Sequence, residues 1–178
     1  GGFAAHYTLA SYDCFGSSIA SIGDLDGDGI SELVVGAPGY DAVYVLFMAT
    51  SGTASAVQKI SNSDGGLSAH YTLDNNDWFG SSVAPLGDMN GDGVVDFAVG
   101  AYGDDDGGSG AGAFYLIFAT TSGTVGDAAK VSIEEEVARA HTSFDACDCF
   151  CWPPPPPTAV MLERRARPSD LERPLMLT

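Results

Sequence analysis

The sequence predicts an all-β protein made of repeated, antiparallel, four-stranded units, and three observations predict it. The first is self-similarity: Asp13-Cys14-Phe15-Gly16-Ser17-Ser18 returns 64 residues later as Asp77-Trp78-Phe79-Gly80-Ser81-Ser82. The second is rhythm, because short apolar runs of strand length alternate with clusters of Gly, Asp, Asn and Ser, the residues that supply turns. The third is composition: 23 glycines among 178 residues imply many turns, and a hydrophobic fraction of 45% is enough for a core.

The elements follow in order. Gly1-Gly2-Phe3 and Ala5-His6-Tyr7-Thr8-Leu9 lead into the first cycle and match Gly65-Gly66-Leu67 and Ala69-His70-Tyr71-Thr72-Leu73. Strands are expected at 17–22, 32–35, 43–48 and 57–61. The run 43–48 is apolar at consecutive positions, as befits a strand covered on both faces. The second cycle supplies 81–86, 96–99, 114–118 and 129–132. Between its second and third strands the short Tyr40-Asp41 is replaced by the acidic, glycine-rich stretch 104–112, so the offset grows to 71. That stretch reads as a solvated hairpin connection, or else as a partner- or cation-binding loop.

Four strands per repeat is the unit of a β-propeller blade, and such rings close with about 4 to 8 blades. Two full repeats leave outer blade faces uncovered, so the chain is expected to be part of an incomplete β-propeller. The expected divisions are 1–64 for the first blade, 65–135 for the second and 136–150 for the start of a third. In that third copy Ala140-His141, Asp145, Asp148 and Phe150 fall on the positions of Ala69-His70, Asp74, Asp77 and Phe79. Residues 151–178 open with Cys151-Trp152 and five prolines and break the repeat, so they are expected to be a disordered tail foreign to the propeller. The first residue is not Met and no charged-then-apolar leader is present, which reads as a fragment or processed chain.

Within each cycle one turn carries chemistry. Asp24, Asp26 and Asp28 stand at positions 1, 3 and 5 of a tight loop, with the carbonyl of Ile30 at 7 and Glu32 at 9. The second copy offers Asp88, Asn90, Asp92, the carbonyl of Val94 and Asp96. Alternate positions on a turning backbone bring oxygens to one centre, and a hard cation needs 6 to 8 of them. His and Cys are absent from both loops, which disfavours zinc. Calcium suits this flexible carboxylate set better than magnesium, which demands a tighter octahedron. An EF-hand would carry Glu at position 12 between helices, whereas Val35 or Val99 stands there amid strand-like sequence. Asp-Gly-Asp-Gly is also good turn chemistry by itself. Two copies with oxygens at 1, 3, 5 and 9 point instead to two Ca2+ sites, because clustered carboxylates repel unless a cation neutralises them.

Charge and motif content exclude other classes. With 24 Asp+Glu against 7 Lys+Arg the formal net charge is −17, which repels phosphate, so no nucleic-acid partner is expected. No apolar run is long enough for a membrane-spanning helix, so no membrane insertion is expected within this segment. No nucleophile recurs with a positioned base, and the chain is expected not to be an enzyme. His6, His70 and His141 occupy one position per repeat without a partner and are read as structural.

Taken together, Phe15-Gly16, the loop 24–32 and Gly36-Ala37-Pro38, then Phe79-Gly80, the loop 88–96 and Gly100-Ala101-Tyr102, resemble the FG-GAP repeat of integrin α chains and related secreted proteins. The resemblance covers about residues 1–150. It implies a seven-bladed propeller with calcium loops on one face and recognition loops on the opposite face. Glu32 in place of the usual Asp, and Tyr102 in place of Pro, are departures. The function it implies is a calcium-binding, extracellular or cell-surface adhesion module, with a protein or glycan ligand and the remaining blades of a longer chain as partners. The alternative is an accessory propeller of a secreted hydrolase, such as a glycosylphosphatidylinositol-specific phospholipase D-like enzyme.

Overall fold

A computed structural model describes residues 7–132 and the backbone of 162–163. The described chain is all β, arranged as two antiparallel sheets packed on each other. The first has the order β1 (Ile19–Gly23), β2 (Glu32–Ala37), β3 (Ala42–Met48), β4 (Ala54–Ile60). The second repeats it with β5 (Phe79–Gly87), β6 (Asp96–Ala101), β7 (Ala113–Ala119), β8 (Val125–Ser132). All eight predicted strands are present. Most extend a residue or more past the apolar runs that announce them, because ladder hydrogen bonds continue into small and polar residues such as Ala54 and Gly126.

The two copies agree in register as well as order. Val35 pairs with Ile19 and Tyr44, and Val99 pairs with Val83 and Tyr115. Irregularities fall at equivalent places, Ser21/Gly23 and Pro85/Gly87, then Phe47/Met48 and Phe118/Ala119. A two-residue β9, Leu162–Glu163, pairs with Val131 and Lys130 at the outer edge of the second sheet. The other residues of 151–178, and the expected third repeat at 136–150, lie outside the described residues.

The main core fills the space between the sheets. Val34, Val43, Val45 and Phe47 of the first sheet meet Phe97, Val99, Tyr115 and Ile117 of the second, with Leu73 from the connecting segment and Phe79 from the start of β5 laid between them. Phe79 is fully buried, edge-on to the Tyr115 ring at 5.4 Å, and burial of such a side chain contributes about 1.5–3 kcal/mol. The same construction recurs on the outer face of the first sheet, where Tyr7 and Phe15 stand edge-on to Tyr44 at 5.4 and 5.5 Å. Phe79 is thus an anchor between the sheets.

Glycine explains how the sheets come so close. A Cβ on Gly36 would lie 1.9 Å from the carbonyl oxygen of Gly80, and the Ser18 hydroxyl donates to that same oxygen at 2.8 Å. Asp41 adds a second bridge, its carboxylate accepting from the amides of Asn76 and Phe79 at 3.2 and 3.1 Å.

Candidate metal centres

Each acidic loop is the turn of a β-hairpin, joining β1 to β2 and β5 to β6. The fold of the turn comes from its own carboxylates. Asp24 accepts from the amides of Gly27 at 2.7 Å and Gly29 at 2.9 Å, Asp26 from Asp28 at 3.1 Å, and Asp28 from Ile30 at 2.8 Å. In the second loop Asp88 accepts from Gly91 at 2.7 Å and Gly93 at 2.8 Å, Asn90 from Asp92 at 2.9 Å, and Asp92 from Val94 at 2.7 Å. Side chains at positions 1, 3 and 5 therefore fold inward over the turn in both copies. Gly27, Gly29, Gly91 and Gly93 adopt positive φ, which lets the backbone wrap around them.

One carboxylate oxygen each from Asp24, Asp26 and Asp28 lies within 4.8 Å of the others. Calcium–oxygen distances of about 2.3–2.6 Å allow one ion to touch all three at that spacing. Glu32 stands outside this set. It is fully buried at the start of β2, where Oε2 accepts from the Leu25 amide at 2.6 Å while Oε1 has no hydrogen-bond partner. Burial pushes the Glu32 carboxyl above the ordinary range; the Leu25 and Met48 amides oppose this, and the charges of Asp26 and Asp28 add to it. A buried acceptor with one oxygen unsatisfied, near two further carboxylates, is the electrostatic situation a divalent cation relieves.

The second loop is built differently at the same position. Asp96 is buried, but both its oxygens are satisfied, by the Met89 amide at 2.9 Å and the Ala119 amide at 3.1 Å. Burial raises its pKa too, opposed by those two amides and supported by Asp92 and Asp88. Asn90 donates to Asp92 at 2.9 Å, so this pair is linked by a hydrogen bond where the first loop has two acids. Asp88, Asp92 and Asp96 do not form a three-acid set at the 4.8 Å spacing among the described residues. Ile30 and Val94 enter both loops through their amides as well as standing at position 7.

Sequence reading missed two clusters. Asp74, Asp105 and Asp106 form a second exposed three-acid set, drawn from the connecting segment and the 104–112 insertion. The insertion is also not simply solvated: Asp104 is buried, accepts from the Tyr115 hydroxyl at 2.7 Å and pairs with Lys130 Nζ at 2.7 Å, while Lys130 reaches Asp106 at 2.6 Å. Burial depresses the lysine, but hydrogen bonds to Asp104 and Asp106 outweigh it and hold its pKa up. Lys130 lies 26 residues from Asp104 and Asp74 lies 31 from Asp105, so no local pattern joins them and only the fold reveals them.

Paired four-stranded sheets with carboxylate hairpins and glycine-mediated contacts define a pair of β-propeller blades. The FG-GAP repeat profile matches residues 15–57 and 79–117, one match on each sheet, so each sheet carries one FG-GAP repeat. It is similar to integrin alpha-2 of Bos taurus, 36% identical over 98 residues covering 50% of this chain and 8% of that protein. It is also similar to integrin alpha-5 of Xenopus laevis, 34% identical over 102 residues (54% and 9%), and to integrin alpha-PS2 of Drosophila melanogaster, 30% identical over 135 residues (70% and 9%). The chain therefore spans less than a tenth of the length of these curated relatives and represents an integrin-like propeller module. Among the described residues no helix is long and apolar enough to cross a membrane.

Proposed function

We propose that this chain is a segment of a calcium-stabilised, integrin-α-like β-propeller that works as an extracellular or cell-surface binding module, with residues 1–64 and 65–135 as consecutive blades. Asp24, Asp26, Asp28, the Ile30 carbonyl and Glu32 hold one Ca2+, and Asp88, Asn90, Asp92, the Val94 carbonyl and Asp96 hold a second. The observation that carries the reading is the convergence of Asp24, Asp26 and Asp28 within 4.8 Å of one another, with the buried, unpartnered Oε1 of Glu32 at the base of the same hairpin. The ion supplies charge neutralisation and fixes the hairpin tip. The chain's own residues do the rest, the position-9 carboxylate tying the loop to the strand through the Leu25 or Met89 amide.

The role is recognition rather than catalysis, and the ligand is an extracellular protein or glycan, with the further blades of a longer chain as structural partners. Similarity to integrin α chains supports the adhesion role. The test is calorimetric titration of the chain with Ca2+ and, in parallel, terbium luminescence. Two sites of millimolar or better affinity, lost stepwise in Asp26→Ala and Asp92→Ala, support the proposal. No uptake by a folded sample at millimolar calcium overturns it.

A further inference from the structure

Of the four asparagines in the chain, the structure sets one apart. The Asn62 side chain is tied to the backbone of Leu73 through both its oxygen and its nitrogen, at 2.7 Å each. Asn75 and Asn76 are followed by Asn76 and Asp77, whose side chains crowd the next backbone nitrogen. Asn90 alone precedes a glycine. Gly91 is exposed, has φ +79, and a Cβ there would meet nothing within 4 Å. Neighbouring blades leave this tip open: the equivalent Asp26, Gly27 and Asp28 are exposed as well, although the second sheet already packs on the first.

The loop also brings a base to the Gly91 nitrogen. Asp88 Oδ1 accepts from the Gly91 amide at 2.7 Å, and the amides of Asp92 at 3.1 Å and Gly93 at 2.8 Å hold that carboxylate in place. Asn90 Oδ1 accepts from the Asp92 amide at 2.9 Å while its Nδ2 donates to the Asp92 carboxylate at 2.9 Å. This turn folds the Asn90 side chain forward along the Gly91 peptide. An electrophilic carbon, a sterically open nitrogen and a proton acceptor thus share one exposed turn.

We propose that Asn90-Gly91 is a self-modifying site, where the folded loop converts Asn90 to aspartate with Asp88 carrying the proton. The Gly91 backbone nitrogen attacks Asn90 Cγ as Asp88 takes its proton. The Cγ–Nδ2 bond then breaks, Asp88 returns the proton to the departing nitrogen, and ammonia leaves behind a five-membered succinimide. Water opens the ring: breaking the bond from Cγ to the Gly91 nitrogen gives aspartate, whereas breaking the bond from the main-chain carbonyl gives isoaspartate. The first hairpin shows that aspartate fits, because Asp26 accepts from the Asp28 amide at 3.1 Å as Asn90 accepts from the Asp92 amide. Isoaspartate adds a methylene to the backbone and displaces that amide. Conversion to aspartate keeps the turn, exchanges the hydrogen bond between Asn90 and Asp92 for a third carboxylate, and gives the second hairpin the acids of the first at positions 1, 3 and 5. The added charge raises the demand for a cation, so the consequence rests on the calcium reading, while the reaction itself needs no ion. An ion held by Asp88 and Asn90 occupies both the base and the attacked amide, and at ten times Kd it slows conversion about tenfold.

The test is to age the full 178-residue chain in chelator, folded and in urea, and to follow each asparagine by peptide mapping in a mass spectrometer. The mass gain from replacing NH2 by OH is expected at Asn90 before Asn62, Asn75 or Asn76, and at least as fast in the folded chain as in urea. Asp88→Asn is expected to slow the folded reaction by about tenfold or more and to leave the rate in urea unchanged, which places the loss in the folded loop. A folded wild type that ages more slowly than the unfolded chain overturns the proposal, whatever the variant does. Equal folded rates for wild type and Asp88→Asn overturn it too. Repeating the ageing in calcium reads the metal proposal separately: slowing of about tenfold supports both, and an unchanged rate counts against the ion while the chemistry at Asn90 stands.

Discussion

Replacing Glu32 by Gln separates the cost of the empty loop from the benefit of the filled one. Gln retains an oxygen for the Leu25 amide, now 2.6 Å from Oε2, and removes the buried negative charge whose other oxygen is unpartnered. An unsatisfied buried polar group costs about 1–3 kcal/mol, more when charged, and the new amide can donate toward the nearby aspartates. In excess chelator Glu32→Gln is therefore expected to be more stable than the wild type by about 1–2 kcal/mol, roughly 2–8 °C in Tm for a domain of this size. Calcium offsets that advantage. At ten times Kd a site contributes about 1.4 kcal/mol, so two sites stabilise the wild type by about 2.8 and the variant, with one, by about 1.4. Differential scanning calorimetry in chelator and in millimolar calcium measures both differences. A variant with the full calcium response, or one destabilised in chelator, refutes the assignment of Oε1 to an ion.

Three further expectations come from the rest of the structure. Gly36→Ala drives a Cβ against backbone at 1.9 Å and should cost about 3 kcal/mol in urea unfolding, clearly more than Gly100→Ala, whose nearest atoms belong to rotatable serine side chains; equal costs would contradict the close packing of the sheets. Lys130→Met leaves buried Asp104 without its cation and should cost about 3–5 kcal/mol, with part of the loss recovered when Asp104→Asn is added; an additive double-mutant cycle would deny the coupling. Burial pushes the Asp77 carboxyl up to about 6, partly opposed by the Asp74 amide and reinforced by Asp104, Asp41 and Asp74. The folded state then binds the proton more tightly than the unfolded one, so Asp77 makes stability fall as pH rises from about 4 to about 6 and level off above. Asp77→Asn keeps an acceptor for the Asp74 amide and should flatten that slope in pH-dependent denaturation, with a gain of about 1–3 kcal/mol at pH 7.

Much of the candidate site is legible in residue order because its geometry is local. Asp24, Asp26 and Asp28 converge through hydrogen bonds to amides two to five residues away, so spacing alone implies the turn. Glu32 shows where that reasoning stops. Position 9 joins it to the same list as the aspartates, yet the strand it begins draws it into the interior, and its unsatisfied oxygen depends on what β3 places behind it. Asp96, one methylene shorter, accepts a hydrogen bond from the Ala119 amide, whereas the equivalent Met48 amide favours the Glu32 carboxylate without closing a hydrogen bond to Oε1. The acids of the 104–112 insertion likewise read as solvated until Lys130 and Tyr115 are brought against Asp104.

By itself the order of residues determined the all-β class, the eight strands, the two hairpin loops and the equivalence of the two repeats, because periodicity and turn chemistry act over a few neighbouring residues. Tertiary structure alone decided that Gly36 meets Gly80, that Asp41 caps the amides of Asn76 and Phe79, and that Phe114 lies open where Val43 is sealed. Those outcomes join positions tens of residues apart. They depend on which sheet face finds a neighbour, and identical local patterns such as Gly16 and Gly80 acquire different surroundings only when the sheets are stacked.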